Sequence, residues 1–180
     1  MKTAPYKPSP MVAKLIMLYV LEKMDIPLTE YSILEIVTSS NDWLNYMDAK
    51  VILLDLVDVG FVKFMGEGRE RKYSLTHDGR SCLSYYFQRI PATLREEILE
   101  YSKKSRATLK RNQEYLSDFY KVTDGEYMIN LKIKDSASYE PMLEINLKTN
   151  SRQQAIIVYK KWKAVAPQIY EMLISNLFEE

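Results

Sequence analysis

The residues best equipped for chemistry gather in Gly60–Arg80, GFVKFMGEGRERKYSLTHDGR. Gly66 and Gly68 bracket Glu67, and Arg69, Arg71 and Lys72 follow, with Arg80 close behind. Cationic side chains on a glycine turn suit phosphate, because glycine lets the backbone approach an anion closely and guanidinium binds it with a planar fork. The simpler reading leaves the glycines to turn geometry and pairs the arginines with Glu67 and Glu70. His77 and Cys82 are the single histidine and the single cysteine. Without an orienting third group they make a weak nucleophilic pair; a cap or solvent role for His77 and a small buried role for Cys82 are commoner. No Cys/His set fits a closed zinc site. The Gly-Glu-Gly turn lacks both the lysine and the strand-to-helix setting of a phosphate loop. Neither catalysis nor a metal or cofactor is therefore expected.

The elements around this stretch follow from periodicity and punctuation. Pro10 opens a helix running to about Met24, with Leu15, Leu18 and Tyr19 on its apolar side, and Asp25-Ile26-Pro27 stops it. Thr29 caps a second helix from Glu30 to about Ser39, with Ile33, Ile36 and Val37 inward. Asn45 caps a third that ends at Val59, where Gly60 supplies a left-handed stop. Residues 61–64 and 72–75 read as two strands around the glycine turn. Thr76 caps a fourth helix that reaches Ile90, and Pro91 breaks it. Helix, helix, helix, hairpin, helix is the order of a winged helix, here residues 1–90.

Residues 91–180 carry a different pattern. Thr93 caps a long helix to about Asn112. Strand-like runs follow at 115–123, the weakest of the three, then at 127–134 and 142–149. In the last two, Tyr127, Ile129, Leu131 and Ile133, and Leu143, Ile145 and Leu147, alternate inward, as in an antiparallel sheet with one covered face. Ser151-Arg-Gln-Gln154 is a capping box opening the final helix, in which Tyr159, Trp162, Val165, Ile169 and Leu173 recur at helical spacing. Pro167 predicts a kink or short break. The fold class is thus α+β, with a winged helix followed by a helix–antiparallel sheet–helix domain.

The runs NYMDAKVILLDLVDVGFV and RKYSLTHDGRSCLSYY resemble the recognition helix, wing and following helix of winged-helix transcriptional regulators. More narrowly, nearly the whole chain is similar to an uncharacterised Firmicute winged-helix family, a domain of unknown function of about this length. Tyr46, Leu56-x-x-x-Gly60, Tyr73-x-Leu-Thr-x-x-Gly79, Trp162, and Tyr170 with Leu177 carry that likeness. The Leu-Thr-x-x-Gly element occurs in many winged helices and is weakly specific. The resemblance implies a regulator without naming an operator or ligand.

A winged helix reads duplex DNA with its third helix, while the wing reaches phosphate or the minor groove. Asn45, Tyr46 and Lys50 are the candidates at the third helix, and Arg69, Arg71 and Lys72 those on the wing. The electrostatics oppose this. Residues 1–90 hold eleven Lys and Arg against eleven Asp and Glu. With Ala49, Ile52, Leu53 and Leu56 as the core stripe, the third helix presents Met47, Asp48, Val51, Leu54, Asp55 and Asp58. A basic run, Lys103 to Arg111, offers five cations and is most simply a solvated face. The fourteen tyrosines and two tryptophans suit a core and a homodimer interface, or an effector pocket between the second sheet and the last helix. The expectation is a cytoplasmic, homodimeric DNA-binding transcriptional regulator without a membrane span. The alternative is a winged-helix protein–protein interaction module that does not bind DNA.

Overall fold

The computed structural model describes residues 8–68, 71–135 and 140–178. Among the described residues the fold is mixed α and β, with two small antiparallel sheets of three strands each. The chain forms two compact units that meet at 106/107, inside a helix.

In the N-terminal unit, α1 (Pro10–Met24) starts at Ser9, whose hydroxyl accepts from the Val12 N–H. The apolar side expected for α1 widens into burial on nearly all sides, from Ala13 to Met24. A helix that is apolar all round belongs in a core. A two-residue strand, β1 (Leu28–Thr29), precedes α2 (Glu30–Val37). Thr29 serves twice: it pairs with Lys72 in the sheet, and its hydroxyl accepts from the Ser32 N–H at 3.2 Å to cap α2. Next come α3 (Tyr46–Asp58), β2 (Val62–Met65), β3 (Lys72–Leu75) and α4 (His77–Tyr86). The sheet order is β1-β3-β2.

The predicted stripe of α3 is the buried one, Ala49, Ile52, Leu53 and Leu56, and Gly60 follows it at φ 77°. The hairpin turns on Gly66 and Gly68, both at positive φ. Thr76 explains how α4 is seated. Its hydroxyl accepts from the Gly79 N–H at 3.1 Å and donates to the Gly60 carbonyl at 2.7 Å. A Cβ at Gly79 would stand 2.2 Å from the Phe61 carbonyl oxygen, so only glycine lets the helix lie this close to the hairpin.

Several expected boundaries move, most by one or two residues. α2 ends at Val37 rather than Ser39, because Trp43 and Leu44 both return N–H bonds to the Val37 carbonyl. α4 gives way to a short 3-10 turn, Phe87–Arg89. α5 (Ala92–Glu114) begins one residue before Thr93, since the Arg95 N–H already bonds the Pro91 carbonyl.

The C-terminal unit is a meander, β4 (Tyr115–Thr123), β5 (Glu126–Lys134) and β6 (Pro141–Thr149), followed by α6 (Arg152–Phe178). Register places Phe119, Ile129 and Leu147 on one face, and Ser117, Leu131 and Ile145 beside them. That face packs on Ala155, Trp162 and Ala166 of α6, except at Leu147, which was expected inward but is 41% exposed on the edge strand. The Trp162 indole N–H donates to the Lys132 carbonyl at 3.2 Å, satisfying its one polar atom on burial. The capping box is half formed: Ser151 accepts from the Gln154 N–H at 3.4 Å, but the Gln154 side chain turns to the Thr149 hydroxyl. Pro167 does not interrupt α6. It is exposed, and the helix forgoes one backbone bond there instead of breaking. No helix among the described residues is long and apolar enough to cross a membrane.

Candidate functional site

The candidate residues converge around α3. Asn45 lies at its N-terminus, but its side-chain oxygen accepts from the Met47 N–H at 2.9 Å. That oxygen is spent on the cap. Tyr46 is exposed at 52%. Lys50 is also exposed and reaches Glu30 of α2 at 3.6 Å, a surface ion pair of small worth. Arg71 rests its guanidinium over the Phe64 ring, 4.6 Å from the centroid, a cation–π contact that holds it on the hairpin. Lys72 is half-buried in β3. Arg69 lies outside the described residues. Arg80 is turned away from the hairpin tip and pairs with Glu22 and Asp25 at the end of α1.

Tyr46 and Arg71 line one open groove of about 480 Å³, together with Glu30 and Glu35 of α2. The structure therefore brings together the start of α3 and the hairpin, and places carboxylates beside them. Asp25 also binds Arg106 at 3.2 Å. In the basic run of α5, Lys104 pairs with Glu100 and Lys110 with Glu114. Flanking acids thus temper that run.

Stepping 100° per residue, α3 divides into flanks of different character. Tyr46 and Lys50 lie on the α2 and hairpin side. Asp48, Val51, Ile52 and Asp55 form an i, i+3, i+4, i+7 stripe on the other side, facing Pro10, Ala13 and Lys14 of α1 across a groove of about 720 Å³. Between the flanks Met47 and Leu54 are exposed at 67 and 53%, and Val51 of the stripe is exposed at 55%. Sequence reasoning found the α3 half of this groove but missed its other wall and its floor. Trp43 and Leu44 close one end. Trp43 is held from behind by a hydrogen bond from its indole N–H to Glu97 (3.2 Å) and an edge contact with Tyr101. The signal available was Asp42-Trp43-Leu44, two large apolar residues side by side between the second helix and the third.

His77 is the exposed first residue of α4, and Cys82 is a half-buried free thiol. In the C-terminal unit, the space expected for an effector between sheet and α6 holds the indole of Trp162, packed with Ile129, Leu131 and Ile133.

Residues 13–177 match the protein family described as Domain of unknown function (DUF4364). No curated protein and no solved structure matches the chain.

Proposed function

We propose, from the premise that this chain belongs to the DUF4364 family, that it is a DNA-binding transcriptional regulator whose N-terminal unit is a winged helix. The observation that carries this reading is the pairing of Tyr46 and Arg71 on one open groove, where α3 and the hairpin meet. The β1-β3-β2 sheet and the order of the elements support it. In this reading Arg69, Arg71 and Lys72 meet the DNA backbone or minor groove, Tyr46 and Lys50 approach the major groove, and Asn45 fixes where α3 begins. The protein acts as a homodimer on a two-fold operator. The exposed end of α6 supports that part, since Met172, Leu177 and Phe178 are 56, 71 and 77% exposed.

Arg69→Ala with Arg71→Ala tests the assignment. Duplex affinity is expected to fall at every sequence, and the salt slope to drop by about two. Unchanged affinity would remove the hairpin from the DNA interface.

One observation favours a second reading, a winged-helix interaction module that leaves DNA alone. Asp48, Asp55 and Asp58 surround the exposed apolar residues of α3, and a phosphate-lined groove repels them.

A further inference from the structure

The groove between α1 and α3 combines two properties. Its floor is apolar: Ala13, Trp43, Leu44 and Ile52 are all largely buried, with Val51 standing half-exposed above them. Its rim is acidic, from Asp42, Asp48 and Asp55. Lys14, the one cation of the lining among the described residues, lies 3.1 Å from Asp55 and is spent there. Among the described residues Asp42 and Asp48 have no ion-pair partner. Asp48 stands in the first turn of α3, where the helix dipole favours an anion, and Asp42 sits at φ 54°, which aspartate tolerates better than most residues.

Stripes from two helices over an apolar floor make a groove that can receive an amphipathic helix. The charge selects which helix. An acidic rim in partial desolvation favours Lys and Arg and excludes Asp, Glu and phosphate. We propose that this groove docks a cationic amphipathic helix of a partner protein, its apolar residues against Val51 and Ile52 and its cations beside Asp42 and Asp48. The proposal does not rest on DNA binding. The groove occupies the α1 flank of α3, whereas Tyr46 and Arg71 share the opposite one. A protein helix is favoured over nucleic acid because each aspartate would repel a phosphate backbone.

The test uses the full chain and two fluorescent peptides of about four helical turns. Both carry leucine at i, i+3, i+4, i+7; one has lysine and arginine on its flanks, the other glutamate. Anisotropy at low salt should show binding of the basic peptide only, weakening as salt rises. Asp42→Lys with Asp48→Lys should weaken it about tenfold or more, and Val51→Asn severalfold, with the circular dichroism spectrum unchanged. Asp118→Lys, an exposed control on β4, should leave it unaltered. The proposal is overturned if the basic peptide fails to bind, if both peptides bind alike, or if the control variant loses as much as the groove variant. Duplex binding should survive the groove variant, so a failure here is separable from a failure of the DNA-binding reading.

Discussion

α1 and α6 are both long helices, yet nine of the fifteen residues of α1 are buried against three of the twenty-seven of α6. The difference follows from what surrounds each. α1 meets α3, α4 and β3 within its unit and is apolar on nearly every side. α6 covers one face of a three-stranded sheet, and its last two turns hold exposed Met172, Leu177 and Phe178. A deep core can lose one contact and keep its frame; a thin one depends on a few residues. The same contrast divides roles, because a helix with an uncovered apolar end is suited to meeting a second copy.

The sharpest way to break this comparison is Trp162→Ala. Trp162 is 1% exposed and centres the C-terminal core, so its loss should cost that unit about 3–5 kcal/mol. Trp43 then remains as the sole tryptophan and reports the N-terminal unit. Denaturant titration should show the far-UV transition of the sheet moving while the Trp43 transition holds. A Trp43 transition that moved equally would mean the units unfold as one body and the contrast is local only.

Gly79→Ala probes the deeper core at a point it cannot absorb. The added Cβ meets a backbone carbonyl, not a flexible side chain. About 1–3 kcal/mol should be lost, with the loss in the Trp43 transition. An unchanged midpoint would show that α4 can shift off the hairpin freely.

Leu177→Glu with Phe178→Glu should leave folding stability within about 0.5 kcal/mol, because both side chains are exposed. On the homodimer proposal, the change expected is in mass by light scattering, from dimer to monomer. A dimer that persisted would place self-association elsewhere.

The smallest effect is on pH dependence in the C-terminal sheet. Glu126 is held below the usual carboxylate range chiefly by its hydrogen bonds from Lys148 and Thr123, and Glu144 chiefly by that from Asn130, with Lys132 adding to it. A lowered folded pKa gives stability that is complete above the unfolded value and is lost as pH falls through the folded one. The thermal midpoint should therefore decline below the ordinary glutamate value of 4.5. Glu144→Gln should flatten that acid limb slightly, and an identical limb would show that the pair adds nothing.

Where the sequence pattern was strong, the fold could be read from it. The buried stripe of α3 is legible because Ala49, Ile52, Leu53 and Leu56 repeat at helical spacing and Asn45 and Gly60 bound them. The strands β5 and β6 are legible because their apolar residues alternate. β1 is not, because two residues carry no period and Thr29 was already accounted for as a cap. Pro167 misled because a proline on an exposed helix face costs one bond, which the rest of a long helix tolerates. At the candidate site, Asn45 was read as both cap and base contact, and the local hydrogen bond takes precedence. The opposition of charge on α3 could be computed from its sequence. That α1 walls one flank and the hairpin the other is a tertiary fact that no spacing within α3 contains.

The most direct test of the central claim is fluorescence anisotropy of mixed-sequence duplexes with the full chain, beginning at low salt and raising it stepwise. DNA binding through the hairpin predicts clear association at low salt that weakens log-linearly as salt rises, with a slope of at least about two. A folded protein that shows no association even at the lowest salt would contradict it and leave the acidic α1–α3 groove as the functional surface.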